Sequence, residues 1–309
     1  MLNLEVPINL EQQVVLMKKY VNFRKKKKMR KFLEYAGYFR ASRYGKYLLM
    51  HANTFGGKAD ANTFFALYDF DVKLRLLLFK YCKNAEVYFK SAVANAVSLK
   101  TGDATFYLNE QYYTPSKGER DKKTKDKNVH FFKKSFWTAL KSTEARLRED
   151  AIKRPELREY RKGGKHQGSV LPVWVAFSYF EMGTIVMLYS YLRGDLRKAV
   201  LEYMHPGVSK KKVLTKQMDT WLDAVRNLRN YCAHHSMIVG MTSSVVLLDA
   251  KDEIALLPDN TNLYSRLYAL KKILPIEESE MLACELEKLI SKTKLDVYKM
   301  RILPKEWRE

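Results

Sequence analysis

Apolar residues recur three or four positions apart along most of this chain, a spacing that predicts helices. Leu74, Leu78, Tyr81, Ala85, Tyr88, Ala92, Ala96 and Leu99 form one such stripe, which predicts a long core helix from Phe64 to Leu99. Asn62 or Thr63 is placed to cap it, and Thr101 with Gly102 to stop it. Val213 to Ile238 reads as a second helix. Leu214, Met218, Trp221, Val225, Leu228 and Cys232 share one of its faces, Arg226, Asn230 and His234 line the opposite one, and Arg229 lies at the border. His235 falls on the flank nearer Leu228, which predicts a packed side chain. Further helices are expected between Glu11 and Leu49, from Phe136 to Ile152, from Leu263 to Ile273 and from Glu277 to Thr293, with Pro275 separating the last two. Only Val245 to Asp259, with two apolar runs around a polar turn, has the pattern of a β-hairpin. The expected class is therefore all-α, a helical bundle with at most one small C-terminal hairpin. Residues 1–240 are expected to form the main domain and 241–309 a helical extension packed on it.

Hydrophobic residues make up 47% of the 309 positions, enough for a sizeable core. The segment from Leu171 to Leu192 is nearly long enough to cross a bilayer. Glu181 near its middle costs roughly 2.5 to 3.5 kcal/mol on insertion scales, so a buried helix and no membrane association are expected. The opening MLNLEVPINLEQQ has no basic stretch followed by an apolar one, which removes the signal for export. Cys82, Cys232 and Cys284 are odd in number and lack C-x-x-C spacing, arguing against a disulfide framework and a zinc site. A cytoplasmic location follows as the expectation. Neither the Lys-rich stretch around Pro115 and Gly118 nor the basic loop from Arg161 to Ser169 has P-loop or dinucleotide spacing, and His51, His130, His166 and His205 lack the mutual spacing of metal ligands. No cofactor and no metal are expected.

Charge changes this picture. Lys and Arg number 56 against 34 Asp and Glu, a net charge of +22, which favours a polyanionic partner, either nucleic acid or an acidic membrane face. Arg24, Lys25, Lys26, Lys27 and Lys28 form one basic run, and Lys122, Lys123, Lys125 and Lys127 sit in a Lys-rich loop broken by Pro115 and Gly118. Both are compatible with RNA contact and with plain solvated surface.

Arg229, Asn230 and His234 form an R-N-x-x-x-H sequence. This resembles the R-x4-6-H signature of HEPN ribonucleases, a short pattern made specific by its surroundings. LRNYCAHHS is similar to the L-R-N-x-C-A-H-H-S core of the Abi-like abortive-infection family, which includes the AbiD and AbiF proteins. GYFRASRYGKYLL from Gly37 resembles that family's tyrosine-rich block. LYDFDVKLR from Leu67, with the later Glu86, is similar to its L-Y-x-F-D-x-x-L-R helix. LPVWVAFSYFEMG from Leu171 resembles its P-x-W segment. The resemblance spans about Phe23 to Ile238. It departs in two places: Ser178 stands where many relatives carry a glutamate, the acid here being Glu181, and Met237–Ile238 stand where many have Arg-Leu-Trp, which suggests a subfamily with different flanking contacts such as an AbiF-like branch.

The resemblance implies a HEPN-like bundle with additional helices and a metal-independent endoribonuclease acting as a toxin against phage. RNA brings its own 2′-hydroxyl nucleophile, so the site need only move protons and stabilise phosphorane charge. Histidine, with an ordinary pKa near 6.5, suits the first task, and arginine's paired N–H groups suit the second. His234 and Arg229 are thus the expected catalytic pair, Asn230 orients either of them or bonds the phosphate, and Glu86, Arg226 and His235 are the expected supports. The products would carry 2′,3′-cyclic phosphates. The family resemblance further implies a homodimer that pairs two such helices, and two RNA partners, the substrate and a restraining noncoding RNA. The alternative is a non-catalytic RNA-binding HEPN protein that uses the same basic face.

Overall fold

The computed structural model describes residues 7–114, 133–149, 154–160, 162–206, 215–245, 247 and 259–308. It is all-α: among the described residues there are α-helices, short 3-10 turns and isolated β-bridges, with no sheet. The helices are α1 (Leu10–Met17), α2 (Lys26–Ala36), α3 (Tyr38–Met50), α4 (Ala61–Thr101), α5 (Lys134–Glu149), α6 (Val173–Tyr179), α7 (Met182–Tyr191), α8 (Gly194–Met204), α9 (Thr215–Ala233), α10 (Leu263–Ile273) and α11 (Ile276–Lys292).

Helix α4 organises the molecule. Its 41 residues run about 60 Å, and α3 and α6 to α11 all pack along it. The predicted stripe is buried from Leu74 to Ala96 except for half-buried Tyr88, whereas Leu99 is 82% exposed at the free end of the helix. The cap lies two residues before the predicted pair: Asp60 accepts from the Thr63 N–H at 2.8 Å and from its hydroxyl. Gly102, at φ +68°, ends the helix as expected.

Leu171 to Leu192 forms two short helices instead of one. Phe180 and Glu181 are extended and divide α6 from α7. No Gly or Pro stands there to signal the break; it is supported from α4, where Lys90 donates to the Phe180 carbonyl that the helix leaves free. The segment's start is also pinned. Leu171 N–H donates to buried Glu144 of α5 at 2.9 Å, and the Leu171 carbonyl accepts from Tyr107 Oη at 2.7 Å. No helix among the described residues is long and apolar enough to cross a membrane.

The C-terminal helices belong to the same core. Helix α10 lies along α9 and α4, and α11 packs on α4. Buried Arg266 of α10 donates to the carbonyls of Asn260 and Val245. Gly240 shows why the turn after α9 needs glycine: its φ is +66°, and a Cβ there would stand 2.5 Å from the Tyr47 ring. Thr242 and Asn262 form an antiparallel bridge. Most of the predicted hairpin between them, residues 246 and 248–258, lies outside the described residues.

Candidate functional site

The end of α9 is built by a left-handed cap. The Ser236 N–H bonds the Tyr231 carbonyl at 2.9 Å and the His235 N–H bonds that of Cys232 at 3.2 Å, with His235 itself at φ +54°. This is the Schellman arrangement, with histidine where glycine is usual. His234 still continues the helical turn, its N–H bonding the Asn230 carbonyl at 2.9 Å, so Asn230 and His234 lie on one face. Both are exposed. His235 is exposed too, contrary to the packed position predicted for it. The projection that placed it inside assumes a helix that has already ended at Ala233. His235→Gly should therefore stabilise the fold by about 1 kcal/mol in urea unfolding by relieving the left-handed strain. A loss of stability would restore the packed assignment.

What holds this turn in place comes from α4. Asp71, fully buried, accepts the backbone N–H groups of Ile238 at 3.0 Å and Val239 at 2.9 Å through Oδ1. Its Oδ2 accepts from Tyr44 Oη at 2.7 Å and pairs with Arg75 at 2.8 Å. Arg75 Nη1 in turn donates to the carbonyls of His235 and Ser236 at 3.2 and 3.1 Å. Burial pushes the Asp71 carboxyl up, while Tyr44, Arg75 and the two N–H groups pull it back. Two α4 residues one turn apart thus grip both donors and acceptors of the segment carrying the histidines. None of these three was a predicted site residue. Asp71 and Arg75 lay within the L-Y-x-F-D-x-x-L-R block, and their separation of four was the available signal.

Arg229 reaches back to the same helix. Its Nε lies 3.7 Å from Glu86 Oε2, an ion pair beyond hydrogen-bond reach, and its Nη1 donates to Asn230 Oδ1 at 3.2 Å. Buried Glu86 also pairs with Lys90 at 2.8 Å, the lysine that supports the α6–α7 break. Among the described residues, neither Arg229 Nε nor Glu86 Oε2 has a hydrogen-bond partner. Arg226 pairs with Asp223 at 2.9 Å and lies against Gly183 of α7. Cys82 and Cys232 are buried free cysteines. Burial pushes the Cys82 thiol well above its usual range and the Cys232 thiol up to about 12, so both serve as small apolar packing groups.

The structure thus gathers Arg229, Asn230 and His234 along the end of α9, with Glu86 beneath Arg229 and Arg226 one turn earlier. Arg24 to Lys28 lie at and before the start of α2, on exposed surface. Lys122, Lys123, Lys125 and Lys127 lie outside the described residues. No group of three or more His, Cys, Asp or Glu placed to hold a metal occurs among the described residues.

A family model described as Abi-like protein matches residues 31–239, and the chain belongs to that family. The match takes in the Asp71–Arg75 grip, Glu86 and the whole of α9, and it ends at the turn that Asp71 holds. Neither a curated protein nor a solved structure matches the chain.

Proposed function

We propose that this protein is a metal-independent HEPN-type endoribonuclease that acts as a toxin in abortive infection. The observation that carries the reading is an exposed Asn230–His234 face with half-buried Arg229 at its border, bonded to Asn230, at a helix end whose backbone is fixed by buried Asp71 and Arg75. A rigid scaffold presenting a proton-transfer group beside a phosphate-binding cation is what in-line attack by a 2′-hydroxyl requires. Asn230 accepts from Arg229 and so limits the guanidinium's orientations. Membership of the Abi-like family supports the defence role.

His234 takes a proton from the 2′-hydroxyl or returns one to the 5′ oxygen, and Arg229 binds the phosphorane oxygens. One histidine performs both steps poorly, so the active form is a homodimer in which two α9 ends face each other. Leu76 and Val87, three turns apart on one face of α4, are 66% and 64% exposed and follow Arg75 and Glu86 directly in the chain. Exposed Lys80 and Lys83 stand between them on that face, so they are separate apolar points and the dimer reading rests on the demand for two proton-transfer groups. Light scattering should give twice the chain mass, and more firmly at raised salt, because two chains of +22 repel at low salt. A monomer that retains activity would remove the dimer from the account. The net charge also fits a restraining noncoding RNA as a stable partner, and the odd, widely spaced cysteines fit the cytoplasm as the place of action.

A further inference from the structure

Helix α2 breaks a local rule of helix design. It opens on Lys26, Lys27 and Lys28 with Lys25 at the cap position, no side-chain cap and no acid in its first turn, although cations at a helix start oppose the helix dipole. Residues that violate local preference without a structural return mark a functional surface. At 100° per residue, Lys27, Lys31, Tyr35 and Lys28 fall within one arc of the helix, and all are exposed. Among the described residues none of these lysines forms an ion pair, whereas Arg30, outside that arc, pairs with Glu11 and Glu34.

At the far end of α2 the chain turns at Gly37, φ +77°, into α3. Tyr35 and Phe39 flank this corner, 84% and 80% exposed. Phe39 continues into a second exposed basic row through Arg43 and Lys46. At the near end, Arg24, Lys25 and Lys28 line a cleft of about 430 Å³, where Lys28 Nζ is held 4.2 Å from the Phe65 ring centroid. Asp60 also lines the cleft, but its carboxylate is engaged by Thr63.

Two bare aromatic rings between two basic rows fit a single-stranded nucleic acid, which offers phosphates and unstacked bases together; a duplex keeps its bases stacked away from such rings. We propose that α2 and the start of α3 form a binding track for single-stranded RNA, with phosphates on Arg24, Lys25, Lys27, Lys28 and Lys31 and bases stacked on Tyr35 and Phe39. The track rests on the RNA reading above, and it adds a binding surface remote in sequence from α9.

The test uses the full chain carrying His234→Ala, in EDTA, and measures binding of fluorescein-labelled 12-nucleotide oligo(U) and of a 12-base-pair RNA duplex. Tyr35→Ala with Phe39→Ala should weaken single-strand binding by about tenfold or more and leave duplex binding unchanged. Lys27→Gln with Lys31→Gln should lower the log–log salt slope by about 1.4, at roughly 0.7 per phosphate. Unchanged single-strand binding, or equal loss on duplex, would overturn the track while leaving an RNA-binding protein. A parent chain that binds neither RNA would remove the RNA reading itself. Flotation with phosphatidylserine vesicles that depends on Tyr35 and Phe39, with RNA binding unaltered, would assign the surface to a membrane and overturn the proposal.

Discussion

Asp71→Ala should destabilise the protein by about 3–5 kcal/mol in urea unfolding, the range for removing one partner of a buried ion pair. The expectation rests on how many groups depend on one carboxylate. Tyr44, Arg75 and the N–H groups of Ile238 and Val239 all bond it, and none has ready access to water. Alanine leaves a buried guanidinium and two buried N–H groups without their acceptor. Asp71→Asn keeps one accepting oxygen and should cost less. Because Arg75 also holds the carbonyls of His235 and Ser236, the surviving folded fraction should be less active as well. A shift under about 1 kcal/mol would mean that the turn is held by something other than this grip.

His234→Ala should reduce RNA cleavage by about 10²- to 10⁴-fold, the usual contribution of a general acid–base group, and abolish toxicity in cells. The side chain is exposed on the last turn at the end of α9 and anchors nothing in the core, so the melting temperature should stay within a degree or two of the parent. Arg229→Lys separates catalysis from attraction. It keeps the charge and loses the planar fork, so RNA should still bind while cleavage falls by about 10²- to 10³-fold, as when a charge-stabilising donor is lost. Cleavage by His234→Ala at the parental rate would leave an RNA-binding protein whose motif does no chemistry.

Much of the fold is legible in the residues because helical periodicity is a local property. Leu263–Ile273 coincides with α10, and the Leu74–Ala96 stripe is the buried face of α4. What escapes depends on partners far away in the chain. The Phe180–Glu181 break carries no Gly or Pro and is supported by Lys90, ninety residues earlier. Asp71 and Arg75 look like polar interruptions of an apolar helix until the backbone of residues 235–239 is laid against them. The Arg229, Asn230 and His234 triplet is readable because all three fall within the regular helix and its last turn. His235 is misread because one left-handed residue changes the direction of everything after it.

The most direct measurement of the central claim is the chemistry of the ends left on RNA. Purified protein freed of bound RNA is incubated with single-stranded RNA in EDTA, and the products are resolved before and after acid treatment and phosphatase. The account predicts cleavage that persists in EDTA and leaves 2′,3′-cyclic phosphates opposite 5′-hydroxyl ends, because the 2′-oxygen is the nucleophile and Arg229 and His234 supply the rest. Loss of cleavage in EDTA, or products with 3′-hydroxyl and 5′-phosphate ends, would contradict it.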